Sequence, residues 1–172
     1  TDINDIVDGL KKMAWQTPEG QWVQGRGYDD TLLSEKRHPT RHDLDKASTE
    51  HPVWILHISG HLGVANSKAL EMAKINRATP QPGGGIIQKD SRTGEPNGIL
   101  EEDSAKRIVS SLIPPFTAAQ RLNAIKWAAA EYAENGVTTV VIAGIATADQ
   151  FRIIDLQAAS AQGILPLRVI FM

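Results

Sequence analysis

The 172-residue chain has no cysteine. That excludes disulfides, thiolate nucleophiles and cysteine-ligated zinc together, leaving a hydroxyl, a water or a carboxylate as the nucleophile. There is no excess of one charge: 18 Lys and Arg against 20 Asp and Glu give a net charge of -2, with 22% charged and 41% hydrophobic residues. Such a balance describes a soluble globular protein, and it argues against a nucleic-acid partner. Long hydrophobic runs are also missing. Stretches such as Ile142-Ala143-Gly144-Ile145-Ala146 are far too short to span a bilayer, and Asp2, Asp5 and Asp8 occupy the place of a basic leader. The expectation is a cytoplasmic protein with no membrane partner.

There is no Met at position 1, and the chain closes on an apolar strand, LPLRVIFM, which needs neighbours on both sides. The length suits one domain with a real core and not two. Residues 1–172 are therefore expected to form a single α/β domain that is a piece of a longer polypeptide.

What is present reads as alternating helices and strands. Ile3, Ile6, Val7, Leu10 and Met13-Ala14 make one helical stripe, stopped at Pro18 and Gly20. QWVQGRGY is a short strand-like run broken by Gly25 and Gly27, and LLSEKRHPTRHDLDKASTEHP is loop with one helical turn. PVWILHIS is a strand, residues 59–65 a loop, and SKALEMAKI a helix capped by Asn66. GGGIIQKDSRTGEPNGILEE has the pattern of a hairpin. After it come the helix DSAKRIVSSLI, a long helix capped by Thr117 and closed by Asn135-Gly136, the strand VTTVVIAG, a helix capped by Thr147, and the final strand. Two parallel strands joined by that last helix make the C-terminal third α/β.

The stretch HISGHLGVANSKAL, residues 57–70, holds two of the five histidines, four apart. A zinc pair at that spacing needs both imidazoles on one helical face, and here a strand end and Gly60 separate them. His57 shares a strand face with Val53 and Ile55, which suits a core histidine as well as a pocket one. His61 lies beyond the end of a strand, where α/β proteins place ligands, and is the first candidate for a substrate pocket. Asn66 is either a helix cap or a site residue. Tyr28 and Asp29 stand just beyond a strand, but Gly25-x-Gly27 lacks the rest of a dinucleotide fingerprint. The glycines at 83–85 read as a turn. Glu101 and Glu102 face opposite ways if both lie on a strand, or they complement a helix N-terminus. SEKRHPTRHDLDK reads as a solvated loop in which Arg41 and Asp43 can pair.

Five blocks occur in a telling order: GRGYDDTLL, PTRHDLDKAS, HPVWILHISGHLGVANSKAL, PGGGIIQKDSRTGEPNGILEE and ENGVTTVVIAG. Together, from about Trp22 to the C-terminus, they resemble the middle section of a metal-dependent hydrolase of the third amidohydrolase family, the group of N-substituted formamide deformylase and exoenzyme regulatory proteins. The resemblance implies a (β/α)8, or TIM, barrel, of which this chain is a partial segment with a β-hairpin insertion. It implies one or two divalent metals, usually zinc, generating a hydroxide that attacks an amide or related C–N bond of a small molecule, while an acidic residue moves the proton.

The family's first metal ligands, a His-x-His pair, have no counterpart here, and the chain ends before the later ones. The expectation is a metal in the parent protein, no metal ligand in this chain alone, and no catalysis by the chain alone. Tyr28, Asp29, His61, Asn66, Gly98 and Glu102 match family blocks and belong near the substrate or in supporting positions, with His57 as a further pocket candidate. Asn97 stands where the family pattern has Thr. The rival reading is a non-catalytic α/β binding or interaction module. An excised segment would expose strand edges and apolar helix faces, so self-association is expected.

Overall fold

Residues 1–142 and 150–172 are described by the computed structural model, in which the chain divides into two compact units, Thr1–Pro114 and Pro115–Met172. The first unit opens with helix α1 (Ile3–Gln16). A capping box starts it: the Asp2 carboxylate accepts from the Asp5 N–H at 2.9 Å, and the Asp5 carboxylate from the Asp2 N–H at 3.0 Å. Ile3, Val7 and Leu10 are buried, as a helical stripe requires, while Met13 is exposed.

Strand β1 (Val23–Tyr28) runs through both glycines that were expected to break it. Gly25 stays in the strand, where a Cβ would sit 3.1 Å from Ile55 Cγ2, and Gly27, at φ +87°, lies in a bulge between Arg26 and Tyr28. β1 pairs in parallel with β2 (Val53–His57), and the short helix α2 (Arg41–Asp45) lies on the connection between them.

Residues 62–65 depart from the loop expected there and form strand β3 (Leu62–Ala65), antiparallel to β2. A four-residue run holding Gly63 carries too little periodicity to be read as a strand. Its pairing with β2 stands because the missing Cβ of Gly63 leaves room for the Trp54 indole. Helix α3 (Ser67–Met72) follows, then the expected hairpin of β4 (Ile86–Lys89) and β5 (Pro96–Glu101), and helix α4 (Glu102–Ser110) leaves β5 directly.

The sheet order is β1-β2-β3-β5-β4. Because β3 is antiparallel to both β2 and β5, strands β1, β2 and β5 point the same way. Their carboxyl ends, at Tyr28, His57 and Glu101, share one end of the sheet. Both faces are covered, which explains the unbroken apolar run of β2. Val53, Ile55, Val64 and Ile99 pack with Leu10 of α1 and Leu44 of α2. Trp54, Ala65 and Leu100 pack on the other face with Leu70 of α3 and Val109 of α4. By alternation His57 falls on the Val53–Ile55 face.

The second unit contains helix α5 (Ala118–Glu134), strand β6 (Thr139–Ile142), helix α6 (Gln150–Ala161) and strand β7 (Arg168–Phe171). Thr117 caps α5 in a box with Gln120, and β6 pairs in parallel with β7, giving the strand, helix, strand unit read from the sequence. Arg121 of α5 bonds Asp155 of α6 at 2.5 Å. The expected cap Thr147 lies outside the described residues. Among the described residues, no helix is long and apolar enough to cross a membrane.

Candidate functional site

Tyr28 and His57 stand opposite each other at the carboxyl ends of β1 and β2. Their rings meet edge to face with centroids 5.1 Å apart, and His38, from the connection to α2, packs 5.5 Å from His57 and 6.0 Å from Tyr28. Asp30, two residues beyond β1, places Oδ1 3.0 Å from His57 Nε2 and 3.6 Å from His38 Nδ1. The Tyr28 hydroxyl lies 3.3 Å from the same His38 Nδ1. Burial pushes the Tyr28 phenol up, the Asp30 charge adds to this, and the group is therefore a neutral hydrogen-bond donor.

The other ring nitrogen of His57, Nδ1, lies 2.8 Å from Ser59 Oγ. His57 Nε2 is buried and makes no aligned hydrogen bond, although it lies so close to Asp30. The donor atoms of Asp30, His38 and His57 all fall within 4.8 Å of one another, and among the described residues this is the group whose chemistry and spacing suit a metal ion.

A second constellation adjoins β3 and β5. The turn from β2 passes through Gly60 (φ +75°) and delivers His61, whose Nδ1 is 3.0 Å from Glu102 Oε2. The Glu102 N–H also donates to the His61 carbonyl at 2.7 Å. Glu102 has φ +61°, a left-handed conformation that costs a residue with a Cβ about 1–2 kcal/mol. Strain of this kind collects at functional sites. The Lys106 ammonium bonds the Gly60 carbonyl and pairs with Asp103 at 3.0 Å, so α4 fixes the turn that presents His61. The pair stays open to solvent, with the His61 side chain 72% and the Glu102 side chain 55% exposed.

The remaining sequence candidates have different surroundings. Asn66 is fully buried: its Oδ1 accepts from the Val53 and Ala69 N–H groups and its Nδ2 donates to the Ser48 and His51 carbonyls, each at 2.9 Å. Its amide is fully used inside the protein. Asp29 bonds the Thr31 hydroxyl at 2.7 Å and the Thr31 N–H at 2.9 Å, and these two bonds lower its carboxyl below the usual range. Glu101 turns away from Glu102 and accepts from Gln88 at 2.6 Å.

Asp43 pairs with Arg37 at 2.7 Å and not with the neighbouring Arg41 that the sequence suggested. It also accepts from the Thr40 N–H and hydroxyl, both at 2.9 Å, so the capping box of α2 turns its carboxylate back toward residues 37–40. Asp30 and His38 were not singled out in the sequence. Asp30 lies in the turn that follows β1, where strand alternation no longer applies. His38, inside a charged loop, has no local signal.

A hollow of about 340 Å³ between α1 and β1 reaches Tyr28, opened by Gly25 and Gly27. A larger apolar hollow of about 440 Å³ in the second unit is lined by Phe116, Ile125 and Leu156, and its Arg121 and Asp155 neutralise each other. All five histidines lie in the first unit.

A family model described as the amidohydrolase family matches residues 1–171. The chain belongs to the amidohydrolase family. It is 34% identical over 109 residues to N-substituted formamide deformylase of Arthrobacter pascens, covering 63% of this chain and 20% of that protein. It is 35% identical over 117 residues to YtcJ of Bacillus subtilis (strain 168), whose name places it with the amidohydrolases, covering 68% of this chain and 22% of that protein. This amidohydrolase chain thus spans about a fifth of the length of these curated relatives. Its mixed α/β fold is similar to that of an uncharacterized metal-dependent hydrolase from Pyrococcus horikoshii OT3, with TM-score 0.60 and 24% identity over 99% of this chain and 30% of that one.

Proposed function

We propose that the chain is a section of a metal-dependent amidohydrolase that hydrolyses a non-peptide C–N bond, in an amide or N-acyl amine of a small molecule. The observation that carries this reading is the gathering of Tyr28, Asp30, His38, His57 and the His61–Glu102 pair at the carboxyl ends of β1, β2 and β5 in a member of this family. Ligands of α/β proteins bind at that end of a sheet. The exposed imidazole of His61, held by Glu102, is suited to hydrogen-bond the substrate carbonyl or the leaving nitrogen. In the reaction water adds to the carbonyl carbon, the C–N bond breaks, and the amine departs with a proton.

A divalent metal, zinc in this reading, supplies Lewis acidity and a nucleophile at neutral pH. Its main ligands lie in other segments of the parent protein, in which these 172 residues form part of one (β/α) barrel domain with β4–β5 as a hairpin insertion. The setting is the cytoplasm, with no nucleic-acid or membrane partner. Tyr28, Asp29 and His57 line or support the substrate side, whereas Asn66, buried at the amino end of β2, serves the fold. Exposed Trp15, Trp127 and Phe116 favour self-association of the chain when it is alone.

The test is amine release from N-formyl and N-acyl amines by the longer protein and by the 172-residue chain. The expected result is turnover by the longer protein that a chelator abolishes, and none by the chain alone. Failure of the zinc-loaded longer protein to release any amine overturns the reaction class in favour of a binding module. Turnover by the isolated chain overturns the placement of the main ligands.

A further inference from the structure

We propose that Asp30, His38 and His57 form a binding site for one divalent cation of the zinc type, built wholly from this chain. The proposal departs from the expectation of a metal-free segment, and it stands on geometry, independent of the reaction class. Asp30 and His38, from the connection after β1, converge on His57 of β2 with donor atoms 3.0 and 3.6 Å apart across Asp30 Oδ1, all within 4.8 Å of one another. An ion holding nitrogen and oxygen ligands tetrahedrally at ~2.0–2.2 Å separates them by roughly 3.3–3.6 Å, so small adjustments suffice.

The donor set also fits. Two imidazoles and one carboxylate suit zinc or cobalt and not magnesium, and three protein ligands leave a coordination position open. The side chains of His38, Asp30 and His57 are only 27%, 26% and 14% exposed, so the site is sheltered yet reachable.

His57 supplies the second argument. Its Nδ1 lies 2.8 Å from Ser59 Oγ and 3.2 Å from the Ser59 N–H. The Ser59 N–H donates to Nδ1 and fixes the ring so that Nε2 faces the Asp30 carboxylate. Nε2 is buried and makes no aligned hydrogen bond although Asp30 Oδ1 lies 3.0 Å away, so its bonding capacity is open to a cation there. The Tyr28 hydroxyl, 3.3 Å from His38 Nδ1, borders the site and can donate to a water or ligand there.

The experiment is binding of zinc and cobalt(II) to the chelator-treated 172-residue chain, by calorimetry and visible absorption, with far-ultraviolet circular dichroism reporting the fold. The expected result is one equivalent of either ion, an intense tetrahedral cobalt spectrum, and no binding of magnesium. His38→Gln and Asp30→Asn weaken binding on the order of 100-fold or more, beyond the ~10–100-fold typical of outer-shell partners. His51→Gln does not change it. His38 lies on a loop, so its variant remains informative if His57→Gln unfolds. Absence of stoichiometric binding by the folded chain, a weak octahedral cobalt spectrum, or binding that survives His38→Gln overturns the proposal.

Discussion

His61 and Glu102, 41 residues apart, are joined twice: Nδ1 of one lies 3.0 Å from Oε2 of the other, and the Glu102 N–H donates to the His61 carbonyl at 2.7 Å. The second contact belongs to the pairing of β3 with β5, and the first is added by a glutamate in a left-handed conformation. An exposed ion pair contributes only about 0–1 kcal/mol to stability, so the strain at Glu102 is not offset by the pair's own worth.

Glu102→Gly accordingly makes the protein more stable, by about 1 kcal/mol, because glycine adopts φ +61° without penalty. Turnover by the longer protein falls on the order of 10-fold or more, since His61 loses its orienting carboxylate. Thermal unfolding and kcat/KM on the same variant check both directions.

Asn66→Ala unfolds the protein more easily without a specific effect on substrate affinity. Two buried N–H groups and two partly buried carbonyls lose their partners, each buried one costing ~1–3 kcal/mol when unpaired, so a loss of about 3 kcal/mol is expected in denaturant titrations. A KM change in a variant of unaltered stability would instead make Asn66 a substrate contact.

Gly98→Ala is destabilising by about 2–5 kcal/mol. Gly98 has φ +102°, and a Cβ there would stand 2.5 Å from the Ala65 carbonyl oxygen and 2.8 Å from the Arg41 nitrogen, where β5, β3 and α2 meet. Chemical unfolding of the variant measures the loss.

Acid weakens the fold through Asp43. Burial alone would raise its carboxyl, but the bonds from Arg37 and Thr40 outweigh this and hold it well below the usual range. A depressed value in the folded state means that the contribution is complete above the unfolded value of about 3.9 and is lost as the pH falls through and below it. The melting temperature of the native chain therefore declines more steeply between about pH 5 and 2 than that of Asp43→Asn, which lacks the titrating group.

The sequence made part of this legible. Alternation placed His57 on the face of Val53 and Ile55, and the cap at Asn66 followed from residue type alone. The helical stripe of α1 and the hairpin of β4 and β5 also have strong local signals. Strand β3 was hidden because Leu62–Ala65 is short and holds a glycine, Gly63, whose role depends on Trp54, nine residues upstream. The metal-type cluster was hidden for a related reason: Asp30 and His38 sit in a charged stretch with the composition of a solvated loop, and only the parallel pairing of β1 with β2 turns them toward His57. The partnership of His61 with Glu102 required the β3–β5 pairing in the same way.

The central claim is that function resides at the end of the sheet where β2 finishes. The most direct test replaces histidines at opposite ends of that strand in the longer protein. His51, just before β2, has its Nδ1 3.0 Å from the Gln21 carbonyl, whereas His61 follows the turn beyond His57. The account predicts that His61→Gln lowers kcat/KM for amide hydrolysis on the order of 100-fold, while His51→Gln leaves it within about 2-fold. Equal losses, or a His61 variant as active as the native enzyme, would contradict it.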